Sequence, residues 1–268
     1  MVRHTGRLPV VGADLHYEID GSGTAMVLVH GFSLDGRMWD DQAVALRDIA
    51  TVVRYDLRGF GRSSLPAPGV AYAHSADLLA LLDHLGISSA VVAGLSMGGL
   101  VAVHAALVAP ERVRSLVLLD SVLDGVVWDP ASERAMTAAG RAAAMQGAQA
   151  AKELWLQHPL FTPARRDPRL AARLEALVEP YSWFHYTHQD PAEPLRPSPN
   201  QELERIAVPT TVVVGELDVP CFLNMAGVLS RRIPGARKVT VPNAGHMVNL
   251  EAADLVNAVL REVVTGAL

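Results

Sequence analysis

Cysteine and lysine are the residues that this sequence has least of. The chain has 268 residues, with one cysteine, Cys221, and only two lysines among 23 basic residues. A single cysteine excludes an internal disulfide framework and favours a reducing compartment, so we expect a cytoplasmic protein. The net charge of −5 offers no clustered basic surface for nucleic acid or anionic lipid. We therefore expect neither nucleic acid nor a membrane as a partner. We also expect the protein to be a monomer or a homodimer.

Long apolar segments and metal motifs are also missing. Residues 1–7 lack the apolar core of a secretory signal, so we expect none. The stretch 90–109 is long enough to span a membrane, but its glycines and serine favour a strand, a turn and a helix. No dinucleotide or phosphate-loop glycine pattern is complete, and neither H-E-x-x-H nor C-x-x-C occurs. We expect no metal and no cofactor.

Short runs rich in Val, Leu and Ile alternate with helical patterns along most of the chain. The runs predict strands at 15–19, 26–29, 52–55, 90–93, 116–119, 210–214 and 238–241. Helices are predicted at 41–48, 74–85, 97–108, 224–232 and 252–264. The first two strands, joined by the turn 20–23, are predicted to be adjacent. The alternation is typical of an α/β fold, in which a mostly parallel central sheet carries helices on both faces.

The alternation stops between residues 123 and 205, which we predict to be a helical cap inserted into a core formed by 1–122 and 206–268. This segment has an alanine-rich helical stretch at 133–157 and a proline-rich end. It also holds half of the aromatic residues: Trp128, Trp155, Phe161, Tyr181, Trp183, Phe184 and Tyr186. These aromatics form a small core of the cap or wall an apolar substrate pocket, and both can hold at once. In the second interpretation, Trp155, Trp183 and His185 line the pocket.

The sharpest motif is Gly94-Leu95-Ser96-Met97-Gly98-Gly99, between the strand at 90–93 and the helix at 97–108. A serine on a strand-to-helix turn has a strained backbone, so small residues must stand two positions on either side of it. The turn raises the hydroxyl above the carboxyl edge of the sheet, where open α/β sheets bind ligands. A glycine-rich turn that only packs a helix on a strand does not explain the serine at its apex. Ser96 is therefore the candidate nucleophile.

A serine hydroxyl needs a base to accept its proton, and ten histidines compete for this role. His246 lies between the last predicted strand and the last predicted helix, at the same edge of the sheet as Ser96, and is the candidate base. His30 ends a strand, where a structural or oxyanion-loop role is expected. His185 and His188 have a spacing that metals use, but no acidic or thiol partner lies close to them in sequence. Three further histidines fall in helical patterns, where they are expected to be packed or solvated: His74, His84 and His104.

The base in turn needs a carboxylate that fixes its tautomer. Asp218 follows the penultimate strand, and Gly215 frees the turn that would aim it. Asp120 is the rival because it closes the strand 116–119 at the same edge, and Glu216 is a third candidate. Asp218 is the preferred acid.

A tetrahedral intermediate also needs backbone N–H donors for its oxyanion. The turn itself supplies the amide of Met97. The loop His30-Gly31-Phe32 supplies a second donor, with the Phe32 amide best placed, although the same loop is also compatible with a plain tight turn. The loop at 56–61 is similar to a phosphate loop only superficially, and we expect it to brace the turn after its strand.

With these motifs in place, the chain resembles the α/β-hydrolase superfamily from about residue 15 to 264. The matching motifs are at 30–32, 56–63, 94–99, 215–218 and 245–246. The N-terminal half is similar to the small-lactonase and carboxylesterase branch, including enzymes similar to 3-oxoadipate enol-lactonase, through the runs 34–40 and 54–59. The resemblance implies Ser96 as nucleophile, Asp218 as acid, His246 as base, and the Phe32 and Met97 amides as oxyanion hole. Serine at 96 argues against haloalkane dehalogenases and epoxide hydrolases, which use aspartate.

The sequence thus predicts a serine hydrolase of the esterase or lactonase type, acting on a small, fairly apolar carboxylic ester or lactone through an acyl-enzyme. One alternative is hydrolysis of a carbon–carbon bond in a dienoic keto acid by the same triad. Such a substrate carries a carboxylate, so its pocket should present a cation such as Arg37 or a cap arginine. A second alternative, of a different class, is a ligand-binding receptor with negligible turnover.

Overall fold

The sheet holds eight strands in a computed structural model that describes residues 4–266. Their order across the sheet is β1-β2-β4-β3-β5-β6-β7-β8. The strands are β1 (His4–Val10), β2 (Ala13–Gly21), β3 (Thr24–Val29), β4 (Ala50–Tyr55), β5 (Ala90–Leu95), β6 (Val113–Leu119), β7 (Thr210–Gly215) and β8 (Arg237–Val241). Strand β2 is antiparallel to β1 and β4, and every pairing from β4 to β8 is parallel. The predicted α/β class with a mostly parallel sheet is confirmed.

The prediction that the first two strands are adjacent is wrong. Strand β4 lies between β2 and β3 and pairs with both of them. The composition of these strands agrees with this order: β4 has one charged residue, Arg54, whereas β2 carries His16, Glu18 and Asp20. The apolar strand therefore takes the interior place in the sheet, and the polar strand lies nearer the edge.

Helices cover the sheet, and their ends follow local sequence signals. They are α1 (Asp40–Leu46), α2 (His74–His84), α3 (Met97–Val108), α4 (Pro130–Met145), α5 (Ala148–Trp155), α6 (Pro168–Val178), α7 (Phe184–Thr187), α8 (Pro199–Glu202), α9 (Pro220–Arg232), α10 (Val248–Glu251) and α11 (Ala253–Thr265). Helix α3 has the predicted bounds and stops before Pro110, which cannot continue it. The predicted stretch 133–157 is divided into α4 and α5 at Gly147, whose φ of 95° ends the first helix. Within residues 4–266, every helix falls short of the length and apolarity that a membrane span requires.

The segment between β6 and β7 contributes helices α4 to α8 and contains no strand within the part of the chain described, apart from one isolated bridge between Tyr72 and Ala192. We call this segment, 123–205, the helical insertion. It lies where the chain leaves the carboxyl end of β6. Because the parallel strands all end at this edge, the loops after β3, β5, β7 and β8 meet beneath the insertion.

Candidate active site

Ser96 stands at the turn between β5 and α3 with φ 54° and ψ −116°. This is a strained backbone for a residue with a Cβ, and such strain costs roughly 1–3 kcal/mol. Neighbouring strands hold it in place, since the Ser96 amide donates to the Leu119 carbonyl at 2.9 Å and the Val122 amide donates to the Ser96 carbonyl at 3.0 Å. The side chain is brought to the carboxyl edge of the sheet, as the motif predicts.

The glycines around Ser96 are required by space. A Cβ on Gly94 would lie 2.2 Å from the Gly98 carbonyl oxygen, and a Cβ on Gly98 would lie 2.2 Å from that of Val29. Both obstacles are backbone atoms, which cannot rotate away. The small residues two positions on either side of the serine therefore allow α3 to approach the sheet closely enough to form this turn.

His246 and Asp218 are joined in the loops after β8 and β7. The His246 Nδ1 atom lies 2.9 Å from Asp218 Oδ2, and both residues are buried. Because a carboxylate only accepts, Nδ1 is the donor in this bond, so Nε2 is the ring nitrogen that can accept a proton. The Asp218 Oδ1 atom accepts the Val219 amide at 2.7 Å, so the carboxylate has a donor on each oxygen.

Glu251 fixes the backbone on either side of the histidine, a role that sequence reasoning missed. Its carboxylate accepts the amides of Gly245 at 2.8 Å and Met247 at 3.0 Å. Burial raises the pKa of Glu251, against the effect of these two hydrogen bonds. The only sequence signal is its spacing, five residues after His246 at the end of α10.

The two rival acids occupy different places. Glu216 is exposed and accepts the Asn243 amide at 3.1 Å. Asp120 is wholly buried, and its Oδ1 accepts the Gly215 amide at 2.8 Å. One oxygen each of Asp120 and Asp218 and one ring nitrogen of His246 lie within 4.8 Å of one another. The structure therefore gathers both buried carboxylates beside His246, and Asp218 is the one that is hydrogen-bonded to it.

The candidate oxyanion donors lie close to Ser96. A Cβ on Gly31 would lie 3.4 Å from the Cβ of Ser96, so the loop after β3 packs directly against the serine. Within residues 4–266, the Phe32 and Met97 amides make no backbone hydrogen bond. Both residues line the same cavity as Ser96 and His246. The two N–H groups are thus available where the predicted oxyanion would form.

His30 holds this loop in place. Its Nε2 accepts the Leu57 amide at 2.8 Å, and its Nδ1 donates to the Gly31 carbonyl at 2.8 Å. Burial lowers the pKa of His30, so the ring is neutral and can do both. The loop at 56–61 braces a turn as expected, since the buried Asp56 carboxylate accepts the amides of Gly36 and Arg62, each at 2.8 Å.

A cavity of about 210 Å³ opens onto Ser96 between the sheet and the helical insertion. Its lining is almost entirely apolar: Gly31, Phe32, Leu34, Leu95, Ser96, Met97, Val122, Trp128, Met136, Trp155, Leu160, Phe161, Tyr186, His246 and Met247. Apart from His246, this lining contains no basic or acidic side chain of the described chain. The volume is below the roughly 300–1,000 Å³ of pockets for drug-sized ligands, so the cavity has room for a small group.

The structure places one of the three predicted pocket residues at the cavity and the other two outside it. Trp155 lines the cavity, whereas Trp183 and His185 are outside its lining. Trp183 is buried inside the insertion against Tyr181 and Tyr186. His185 stacks on Phe60 at 4.7 Å between ring centroids. Both interpretations of the aromatics thus hold for different residues, because Trp128, Phe161 and Tyr186 also reach the cavity.

The remaining histidines make structural contacts. The His185 Nδ1 atom lies 2.9 Å from the Tyr181 hydroxyl, and its Nε2 lies 3.8 Å from Asp190. The expectation that no acidic partner lies close to this histidine pair in sequence is therefore wrong, because Asp190 follows His188 by two positions. His104 is buried between Ser75 and the Arg196 carbonyl. His84 meets the Tyr17 hydroxyl at 3.1 Å. Each of these histidines lies outside the lining of the cavity.

Comparison with known proteins places this arrangement in a family. A family model described as the alpha/beta hydrolase fold matches residues 24–253. The enol-lactonase from Burkholderia xenovorans LB400 superposes with a TM-score of 0.83 and 28% identity, over 97% of this chain and 100% of that one. An esterase from Thermogutta terrifontis, solved with malate bound, gives a TM-score of 0.81 and 28% identity, over 98% of both chains.

A sequence relative extends the range of named activities. RutD from Azorhizobium caulinodans, which is named as a proposed carbamate hydrolase, is 30% identical over 263 residues, or 92% of this chain and 94% of its own. The resemblance to the enol-lactonase and esterase branch is confirmed by these matches, and the hydrolases among them agree with a hydrolytic site. The chain belongs to the α/β-hydrolase family.

Proposed function

We propose that this protein is a serine hydrolase that cleaves small, neutral, apolar carboxylic esters or lactones through an acyl-enzyme. The observation that carries the proposal is the meeting of three features in one small cavity. These are the strained serine at the turn, a histidine hydrogen-bonded to a buried carboxylate, and two amides without a backbone acceptor in the described part of the chain. A serine becomes nucleophilic only with such a base and such donors.

The first half of the reaction forms the acyl-enzyme. His246 Nε2 accepts the Ser96 Oγ proton as the oxygen attacks the carbonyl carbon, and Asp218 stabilises the resulting imidazolium. The Phe32 and Met97 amides bind the developing oxyanion. His246 then donates its proton to the departing alkoxide as the bond between carbon and alcohol oxygen breaks. The alcohol leaves, and the acyl group stays on Ser96.

The second half repeats these steps with water. His246 accepts a proton from water, the hydroxide attacks the acyl carbon, and the acid departs as Ser96 recovers its proton. For a lactone, the alcohol and acid remain parts of one molecule, and the product is a hydroxy acid. The chain's own residues supply every proton transfer in this sequence.

The lining of the cavity supports an uncharged substrate over an acidic one. A carboxylate buried in the cavity without a partner would pay a large desolvation cost. Arg37, one candidate cation for a dienoic keto acid, is instead held by Asp35 at 2.6 Å and by the Ala176 carbonyl at 3.0 Å. Within residues 4–266, no arginine of the helical insertion is in the lining of the cavity either. The carbon–carbon hydrolase alternative therefore lacks its cation. A receptor without turnover gains nothing from the strain at Ser96.

The helical insertion is proposed to act as the cap of this site. It contributes Trp128, Met136, Trp155, Phe161 and Tyr186 to the lining. These side chains would determine the size of the group that fits beside Ser96. A cap of apolar side chains would also exclude water from the site, which would strengthen the hydrogen bonds of the oxyanion site.

A matched pair of esters tests both the reaction and the substrate class. We expect hydrolysis of p-nitrophenyl butyrate, and a value of kcat/KM at least a hundredfold lower for the mono-p-nitrophenyl ester of succinate, which replaces the terminal methyl group with a carboxylate. Ser96→Ala should reduce kcat for the butyrate by roughly 10⁴-fold or more. Equal rates for the two esters would refute the neutral cavity, and an active Ser96→Ala would refute the nucleophile.

A further inference from the structure

Asp120 lies directly behind the acid of the site and has no role in the mechanism above. It stands at the end of β6 with a positive φ of 40° and is wholly buried. Its Oδ1 accepts the Gly215 amide, but its Oδ2 has no hydrogen-bond partner within the described chain when both acids are ionised. A buried carboxylate oxygen without a donor is unusual and needs an explanation.

The neighbours of Asp120 include no basic side chain that pairs with it in residues 4–266. Its titratable surroundings are Asp218 from the loop after β7, His246 from the loop after β8, and Glu251 from α10. His158 from the helical insertion interacts electrostatically with Asp218 and His246, and Cys221 from α9 interacts with Asp218. Asp120 and Asp218 have oxygens within 4.8 Å of each other, and two carboxylates so close in a dry site do not both ionise.

The hydrogen bonds decide which of the two acids keeps the proton. Asp218 receives the Val219 amide on one oxygen and His246 Nδ1 on the other, whereas Asp120 receives one amide. Donors stabilise the charged form of an acid, so Asp218 is the carboxylate. Burial and the charge of Asp218 raise the pKa of Asp120 well above its usual range.

We propose that Asp120 is a positioning residue, a neutral carboxylic acid whose O–H donates a hydrogen bond to the Asp218 carboxylate throughout the reaction. This bond gives the unpartnered Oδ2 a role and shares the charge of Asp218 without removing it. The proton stays on Asp120 at every step. An ionised Asp120 would place a second negative charge near His246, which would favour the protonated ring and oppose its role as a base.

The test is a titration of the His246 ring by NMR in protein with isotope-labelled histidine, assigned by the signal that disappears in His246→Gln. This readout does not depend on any substrate, so a failure of the proposed ester hydrolysis is distinguishable from a failure of this inference. Asp120→Asn keeps an acceptor for Gly215 and a donor for Asp218, and asparagine tolerates a positive φ. We expect its titration midpoint to lie within about 0.3 pH units of the wild-type midpoint. This is roughly the scatter between matched variants, and it is well below the change of one to three pH units that a lost charge produces.

A fall of the midpoint by about one unit or more in Asp120→Asn would overturn the proposal, because it would show that the substitution removed a negative charge. Asp120→Gly removes the donor without straining the backbone. It should raise the midpoint and lower kcat/KM by about ten- to hundredfold, the effect of losing one hydrogen bond to a charged group. An unchanged midpoint and rate in a folded Asp120→Gly would also overturn it. If this variant does not fold, the midpoint of Asp120→Asn decides alone.

Discussion

Trp155 donates its indole Nε1–H to the Ser33 hydroxyl at 2.7 Å, a bond that joins helix α5 of the insertion to the loop carrying Phe32. The two residues are 122 positions apart in sequence. Trp155 also packs edge-on against Phe32, with 5.7 Å between ring centroids. A single side chain therefore both lines the cavity and holds the loop that carries one of the proposed oxyanion donors.

The bond between Trp155 and Ser33 predicts coupled effects on catalysis. A buried neutral hydrogen bond contributes about 0.5–1.5 kcal/mol, so Trp155→Phe and Ser33→Ala should each lower kcat/KM by roughly three- to tenfold. The double variant should be little worse than either single variant, since both remove the same bond. Steady-state kinetics on p-nitrophenyl butyrate measure this cycle. Fully additive losses would show that the bond does not position the loop.

We expect Met136 to limit the length of the acyl group that the cavity accepts. It lines the cavity from α4, whereas Met145 at the end of the same helix is 76% exposed. Met136→Ala should enlarge the cavity and shift the preferred p-nitrophenyl ester from butyrate toward hexanoate or octanoate. Met145→Ala is the matched control, and its chain-length profile should superpose on the wild type. If both variants keep the wild-type preference, the insertion does not determine substrate size.

Gly98 lies where α3 approaches β3 so closely that there is no room for a methyl group. Gly98→Ala should destabilise the protein by roughly 3 kcal/mol or more, because the new Cβ would meet the Val29 carbonyl at 2.2 Å. Gly86→Ala is the control: it has φ 65° but open space around it, so only the backbone conformation costs, about 1–2 kcal/mol. Urea unfolding of both variants measures the difference. Equal losses would mean that the turn can relax.

The sequence predicted those parts of the site that depend on adjacent residues or on the order of the parallel strands. Ser96 and its glycines lie within six positions, and the strand and helix that they join are both strongly apolar. The loops holding Asp218 and His246 follow the last two strands, so the parallel topology alone brings them to one edge of the sheet. Their hydrogen bond follows from that placement.

The parts that sequence reasoning missed depend on tertiary packing. Strand β1 exposes most of its residues, and Leu8 is its one buried residue, so it gives no apolar signal. Trp183 and Trp155 are equally aromatic in sequence, and only the folding of the insertion directs one to its own core and the other to the cavity. The bond between Ser33 and Trp155 spans two distant segments, and neither residue reveals the other.

Because His158 is buried, we expect the free energy of unfolding to depend on pH. It is wholly buried in the insertion, where its Nε2 donates to the Ser132 carbonyl at 3.1 Å and its Nδ1 accepts the Leu160 amide. Burial lowers the pKa of His158 to about 4, against about 6.5 in an unfolded chain. Between these values the unfolded state binds more protons, so the free energy of unfolding falls as the pH drops from about 6.5 to 4.

The expected size of this loss is about 3 kcal/mol, because each unit between the two pKa values is worth about 1.4 kcal/mol. His158→Gln removes the titrating ring, so the variant should be less stable at pH 7 and show a shallower decline below pH 6.5. His188→Gln, on an exposed residue of the same insertion, is the control and should keep the wild-type slope. Urea unfolding at half-unit steps from pH 4 to pH 8 measures all three proteins. A slope in His158→Gln as steep as in the wild type would assign the acid sensitivity to other buried histidines, such as His74, whose pKa burial lowers to about 3.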